Sequence, residues 1–133
     1  MNSINLFVRI NGFDGVDIDF EDSDALAPGG PYDGIGFLSA LTSGLAFNLP
    51  PPYIISHAPQ TPYWDPNYYL WASQVTVAPY LQIWQRVGNQ IAWFNNQFYS
   101  NQGYDDNSEL KVHWYNNIAE ITGGGAPLPR KNC

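Results

Sequence analysis

The chain has 133 residues, of which 44% are hydrophobic and 16% aromatic, and it carries a net charge of -7. This acidic balance disfavours nucleic acid and anionic membrane surfaces as partners, because both would repel the chain. The sequence contains no run of about 18 apolar residues, so we expect no membrane-spanning helix. The single cysteine, Cys133, excludes an intrachain disulfide and a thiol-based metal cluster.

Three segments are typical of β-strands, because their β-branched and aromatic residues are bounded by turn residues. They cover residues 13–20, 53–57 and 91–99. The intervals between them are too long for hairpins and leave room for a helix in each connection. The order strand, helix, strand predicts an α/β fold with a parallel sheet.

Each predicted strand is followed by a stripe of apolar side chains at helical spacing. The stripes consist of Phe37 or Leu38 with Leu41 and Leu45, then Val77, Leu81, Trp84 and Gly88, and finally Leu110, Trp114, Ile118 and Ile121. The last stripe stops before a run of glycines, which predicts a helix end there.

The first predicted strand carries carboxylates at alternate positions. Because strand side chains alternate between faces, Asp17, Asp19 and Glu21 are predicted to share one face, opposite Ile18 and its apolar neighbours Val16 and Phe20. Like charges at this spacing raise one another's pKa, so one carboxyl is expected to keep its proton. Glu21, nearest the loops, is the natural general acid.

Two other interpretations of this acidic strand are a solvated face and a calcium site with carboxylate ligands. A parallel strand with both faces covered has no solvated side for its charges. The apolar residues that alternate with the acids therefore favour a catalytic role.

The segments that follow the predicted strands are rich in Gly, Pro and aromatic residues, and they cover residues 25–32, 61–69 and 100–106. In parallel α/β proteins such loops form the active site. Tyr63 and Trp64 begin an aromatic cluster in the second loop, and either sugar stacking or simple loop packing explains it.

Metal and cofactor chemistry find little support. His57 and His113 are too isolated for a zinc site, and the glycine-rich segments lack the lysine of a phosphate loop. We expect His57 to be buried in its strand or to support a functional residue. The sequence predicts no metal and no cofactor.

The acidic segment, residues 14–21 with the sequence DGVDIDFE, resembles the Asp-x-x-Asp-x-Asp-x-Glu signature of the family 18 chitinases and endo-β-N-acetylglucosaminidases. Residues 56–60 resemble the fifth strand of that family and residues 95–101 the sixth. The resemblance implies a partial (β/α)8 TIM barrel of about three β/α units, corresponding to strands four to six. Residues 1–122 would form this catalytic segment, and residues 123–133 a flexible tail.

The same resemblance implies hydrolysis of β-1,4-linked N-acetylglucosamine polymers or glycans, with retention and with the substrate's own acetamido group as nucleophile. Glu21 would protonate the glycosidic oxygen and Asp19 would position and stabilise the acetamido group. Asp17 would support Asp19 by sharing a proton or a hydrogen bond, and Tyr99 would complete the catalytic set.

Substrate-binding residues are implied as well. Gln97 and Asn101 would lie at the acetamido group, and Tyr63 and Trp64 would stack against sugar rings. The expected partner is therefore chitin or another N-acetylglucosamine-containing glycan.

The length of the chain falls below the ~200 residues of a small (β/α)8 barrel. We therefore expect either a longer protein that supplies the remainder of the barrel, or a homo-oligomer that completes the sheet. The alternative function is a non-catalytic, lectin-like binder of N-acetylglucosamine-containing glycans. The intact acids favour the enzyme, and the length favours the lectin.

Overall fold

The computed structural model describes residues 2–65, 78–101 and 118. The chain divides into two compact units, Met1–Gln97 and Phe98–Cys133. In chain order, the first unit contains helix α1 (Asn2–Asn11), strand β1 (Gly15–Ile18), the single turn α2 (Ser23–Leu26), helix α3 (Gly34–Asn48), strand β2 (Ile54–His57), a 3₁₀ turn (Thr61–Trp64), helix α4 (Pro79–Val87), a second 3₁₀ turn (Gly88–Gln90) and strand β3 (Trp93–Phe94).

The three predicted strands are confirmed, and they form one parallel sheet in the order β1, β2, β3. In this register Asp17 lies opposite Ser56 and Ile18 opposite His57, while His57 also lies opposite Phe94. Connections through helices are what parallel strands require. The arrangement is consistent with part of a (β/α)8 barrel.

Strand β3 is shorter than the predicted segment 91–99. Its backbone nevertheless continues along β2, since Asn95 N donates to His57 O at 2.8 Å and Gln97 N donates to Pro59 O at 2.9 Å. Pro59 has no N–H to return a bond to β3, so the regular ladder is interrupted at that point. The interruption shortens the strand without moving residues 95–97 away from β2.

Helix α3 confirms the first predicted stripe in part. Asp33 caps the helix by accepting a 2.8 Å hydrogen bond from Gly36 N. Leu38 and Leu45 are completely buried, whereas Phe37 is half exposed. Thr42, and not Leu41, completes the buried face, because its hydroxyl bonds back to Leu38 O and the side chain faces the sheet.

The buried face of α4 is one residue out of step with the predicted stripe. Tyr80, Ile83 and Val87 are buried, while Leu81 and Trp84 are half-buried. The helix begins only at Pro79 and packs against α3 and the first 3₁₀ turn, where Tyr80 contacts Tyr63 and Trp64. Apolar side chains cover more than one face of this helix, so its inward side cannot be chosen from spacing alone.

Helix α1 was not predicted from the sequence. Its inner face is Asn5 and Val8, and its last turn contacts the end of α3, where Arg9 Nη2 donates to Asn48 O at 2.8 Å. The Arg9 guanidinium also lies 5.1 Å from the centre of the Tyr53 ring. These contacts hold the helix in place although Leu6, Phe7 and Ile10 remain exposed.

In the second unit, Ile118 is helical and buried, as the third stripe predicts. The other members of the third stripe lie outside the described residues. The same is true of Val77 in the second stripe and of the predicted tail at residues 123–133. Within the described part of the chain, no helix is long and apolar enough to span a bilayer.

The core on one face of the sheet contains a cluster of aromatic rings beside its aliphatic residues. Tyr63 and Tyr80 stack with ring centres 6.1 Å apart, and Trp64 meets Phe94 edge to face at 4.9 Å. His57 packs edge to face against Tyr80 at 5.8 Å. Because apolar side chains and rings fill this face, the carboxylates of the first strand segment lie on the opposite face.

Candidate active site

The polar face of the sheet is built by strand alternation. Ile18 of β1 is buried, whereas Asp17 of β1 is exposed, as are Asp19 and Glu21, which follow the strand. Val16 and Phe20, predicted to be buried beside Ile18, are only half-buried. The carboxylates thus lie on the side away from the aromatic core, and residues of β2 and of the segment after β3 contact them.

Both carboxylate oxygens of Asp17 accept hydrogen bonds, one from β2 and one from the segment that follows β3. Ser56 Oγ donates to Oδ1 at 2.7 Å, and Asn95 Nδ2 donates to Oδ2 at 3.1 Å. Ser56 is directly opposite Asp17 in the sheet register. Each oxygen of Asp17 thus has a donor, and the predicted sharing of a proton or hydrogen bond with Asp19 stays a prediction.

Gln97 joins the other two acids. Its side-chain nitrogen lies 2.9 Å from Asp19 Oδ1, 3.1 Å from Glu21 Oε1 and 2.8 Å from Ala58 O. The residue is buried, and its backbone is held by Pro59 O and by a bridge to Gln60. Gln97 was predicted to bind substrate, and in this structure its amide contacts the acids themselves.

Among the three acids of this row, it is Asp19 whose pKa departs clearly from its ordinary value. Partial desolvation raises the pKa of Asp19 above its ordinary value, and the Glu21 carboxylate beside it raises it further. The Gln97 amide acts in the opposite direction, because its N–H stabilises the charged form. A hydrogen bond with Glu21 also raises the pKa of Asp19. That one acid of the row keeps its proton stays a prediction.

His57 lies behind the acids, on the core side of the sheet, and its predicted burial is confirmed. Thr42 Oγ1 donates to Leu38 O at 2.7 Å, so it accepts from His57 Nε2–H at 3.1 Å. The other ring nitrogen then accepts from the Tyr80 hydroxyl at 3.3 Å. Burial lowers the pKa of His57 to about 4, which keeps the ring neutral.

The structure supports the packing alternative for the aromatic loop and corrects the stacking role given to Tyr63 and Trp64. Both side chains are 0% exposed, so neither ring offers a face to a sugar. The Trp64 indole nitrogen donates to Asn96 Oδ1 at 2.9 Å, and the Tyr63 hydroxyl bonds to Ser23 Oγ. The aromatic residues 68, 69 and 71 of this loop lie outside the described residues.

Tyr99 and Asn101 belong to the second unit. The Tyr99 side chain is 61% exposed, and Asn101 Nδ2 donates to Tyr99 O at 2.7 Å. Their roles at an acetamido group stay predictions.

Ser56 and Asn95 are site residues that sequence reasoning missed. Both lie within the segments that resemble the family strands, and Asn95 precedes Gln97 by two residues, which places it on the same face. Alternation was therefore a usable signal for Asn95. Ser56 required the register between β1 and β2, which the sequence does not reveal. Among the described residues, no group of three or more His, Cys, Asp or Glu side chains is arranged to hold a metal ion.

Comparisons with known proteins show a similarity to a solved structure. No protein-family model matches the chain, and no curated protein sequence does either. The chain is similar to the crystal structure of a GH18 chitinase from Pseudoalteromonas aurantia, with 41% sequence identity and a TM-score of 0.81. The match covers 90% of this chain and 41% of that chitinase, so this chain spans less than half of its length.

Proposed function

We propose that this chain carries the acid-bearing segment of a retaining family 18 glycoside hydrolase that cleaves β-1,4-linked N-acetylglucosamine polymers or glycans. The observation that carries the proposal is the Gln97 amide, 2.9 Å from Asp19 and 3.1 Å from Glu21, which holds the two carboxyls together on the open face of the sheet. The 41% identity with a GH18 chitinase supports the same chemistry.

Glu21 is the proposed general acid. It follows the carboxyl end of β1 and is exposed, so a glycosidic oxygen can approach it. Its proton would pass to the leaving oxygen while the acetamido oxygen of the substrate bonds to the anomeric carbon. Water would then open the resulting oxazolinium ring and return a proton to the Glu21 carboxylate.

Asp19 is the proposed stabiliser of the acetamido group. The oxazolinium ion carries positive charge, and a carboxylate held in place by Gln97 and by its own strand is a preorganised counter-charge. As Glu21 gives its proton to the leaving oxygen, negative charge develops beside Asp19 while positive charge develops on the acetamido group. Tyr99 and Asn101 are proposed to orient the acetamido group.

The proposal is tested with a fluorogenic chitobioside and the purified chain. Glu21→Gln should lower turnover by about 10²- to 10⁴-fold, the usual contribution of a general acid. The matched control is Asp24→Asn, which also changes an exposed carboxylate to an amide, but in the first turn of α2. Turnover that survives Glu21→Gln would reject the assignment.

The same assay separates the enzyme from the lectin-like alternative. Retained binding of chito-oligosaccharides without turnover by the unsubstituted chain would favour a glycan-binding protein. Turnover that Glu21→Gln removes would favour the hydrolase.

We also propose that β1 offers its outer edge either to the remainder of a barrel or to a second copy of the chain. Within the described residues β1 pairs only with β2, and an unpaired parallel edge favours association. The mass of the native protein in solution, measured by sedimentation, distinguishes a longer protein from a homo-oligomer.

A further inference from the structure

The 3₁₀ turn Thr61–Trp64 makes side-chain contacts with the segment that follows β3. The Thr61 hydroxyl donates to Gln97 O at 2.9 Å, and the Trp64 indole nitrogen donates to Asn96 Oδ1 at 2.9 Å. Thr61 and Trp64 are both completely buried, so these bonds are shielded from competing water. Two consecutive residues of the segment are thus held from one turn.

Gln97 depends on such contacts because the regular strand ends before it. Strand β3 covers only Trp93–Phe94, and Gln97 N is held separately by Pro59 O at 2.9 Å. The Gln97 carbonyl accepts from the Thr61 hydroxyl at 2.9 Å and from Thr61 N at 3.4 Å, so the hydroxyl makes the shorter of the two bonds. A buried carbonyl that loses a donor is stabilised only if its backbone shifts toward another donor or toward water.

The side chain of Gln97 is sensitive to such a shift. Its amide nitrogen lies within 3.1 Å of three acceptors, which are Asp19 Oδ1, Glu21 Oε1 and Ala58 O. An amide nitrogen has two N–H groups, so three acceptors share two protons. A small displacement of the Gln97 backbone therefore changes how these protons are divided between the two carboxyls and the carbonyl.

We infer that Thr61 and Trp64 are positioning residues of the proposed hydrolase. They fix the backbone at residues 96–97 from the core side of the sheet, which keeps the Gln97 amide on Asp19. The inference rests on the proposed function for its catalytic meaning, whereas its geometric part, a turn that sets the contact between Gln97 and Asp19, stands without it. It also gives Trp64 a role at the site that needs no ring face exposed to a sugar.

The chain offers a matched set of variants. Thr61→Val removes the hydroxyl and keeps the branched shape of the side chain, while Thr61→Ser keeps the hydroxyl. The control is Thr42→Val, because Thr42 is also completely buried but its hydroxyl bonds to Leu38 O and His57 Nε2 in the core. Trp64→Phe removes the other bond of the turn and provides an independent variant.

The first measurement is a carboxyl-carbon NMR titration of the full chain with 13C-labelled Asp and Glu. The Gln97 amide lowers the pKa of Asp19, so we expect this pKa to rise in the two variants that lose a bond of the turn. It should stay unchanged in Thr61→Ser and in the control. The neighbouring acids Asp17 and Glu21, whose charges also act on Asp19, are present in every variant.

The second measurement is chitobioside kinetics with the same variants. We expect kcat to fall about tenfold in Thr61→Val while KM changes by less than about twofold, because a misplaced group that acts in the transition state lowers kcat. Thr61→Ser should keep the kcat of the unsubstituted chain although it loses a buried methyl group. A merely structural role of Thr61 would not give this rescue.

An Asp19 titration that is the same in Thr61→Val and in the unsubstituted chain would overturn the inference, as would an equal rise of its pKa in Thr42→Val. If Thr61→Val does not fold, an unchanged Asp19 titration in Trp64→Phe overturns it instead. If the unsubstituted chain shows no turnover, the proposed hydrolase fails, and the titration still tests the positioning of Gln97. The two failures are thereby distinguished.

Discussion

Gln97 Nε2 donates a 2.9 Å hydrogen bond to Asp19 Oδ1, and the two residues are separated by 78 positions in the chain. The same nitrogen lies 3.1 Å from Glu21 Oε1. A neutral amide at this place reduces the repulsion between two carboxyls without cancelling their charge, so both stay available for proton transfer.

We predict that Gln97→Ala raises the pKa of Asp19 further. The lost amide hydrogen bond favours the charged carboxylate, while desolvation and the Glu21 charge, which disfavour it, remain. The measurement is a carboxyl-carbon NMR titration of the chain with 13C-labelled Asp and Glu. The matched control is Gln85→Ala, on the exposed side of α4. An Asp19 titration unaffected by Gln97→Ala would show that the amide does not act on the pair.

We predict that Gly15→Ala destabilises the fold by about 3 kcal/mol, the upper end of what overpacking usually costs. A Cβ atom at Gly15 would lie 1.8 Å from Ile54 O, and Ile54 N is already bound to Asp14 O at 2.9 Å. The two strands would have to separate at their first pair. Urea unfolding gives the free energy of unfolding.

The control for Gly15→Ala is Gly29→Asn. A Cβ at Gly29 meets no atom within 4 Å, and asparagine tolerates its φ of 76° better than other residues do. Equal losses of stability in the two variants would contradict the close-approach explanation.

We predict that the free energy of unfolding falls as pH decreases from about 6.5 to about 4, because of His57. Burial lowers the pKa of His57 to about 4, so the folded state binds its proton more weakly than the unfolded chain. The loss is absent above pH 6.5 and reaches at most about 3 kcal/mol below the folded pKa. Urea unfolding across this range measures it.

His57→Gln should remove this pH dependence. His113→Gln is its control, since these are the two histidines of the chain and His113 lies outside the described residues. A pH dependence that persists in His57→Gln and disappears in His113→Gln would assign the effect to His113 and contradict the prediction.

We predict that Trp64→Phe lowers the free energy of unfolding by about 1–3 kcal/mol and leaves chito-oligosaccharide affinity unchanged. The indole is fully buried and its N–H is bound by Asn96 Oδ1 at 2.9 Å. Trp93→Phe, at a half-exposed position, should change stability by less than about 0.5 kcal/mol. Weaker glycan binding by Trp64→Phe at unchanged stability would contradict this prediction and support stacking of Trp64 against a sugar ring.

Local patterns in the sequence were sufficient to predict the three strands and the row of acids. Alternation places Asp17, Asp19 and Glu21 on the same side of β1 because successive strand side chains point in opposite directions whatever the rest of the chain does. Helix α3 was predictable for a similar reason, since a capping aspartate precedes its apolar repeat.

The tertiary structure decided which residues contact the acids. Ser56, Asn95 and Gln97 reach Asp17, Asp19 and Glu21 only through the pairing of β1 with β2 and of β2 with β3, and strand register depends on contacts between segments far apart in the chain. The burial of Trp64 and the inward face of α4 were decided in the same way, because aromatic side chains fit a core and a binding loop equally well until neighbouring elements cover one side.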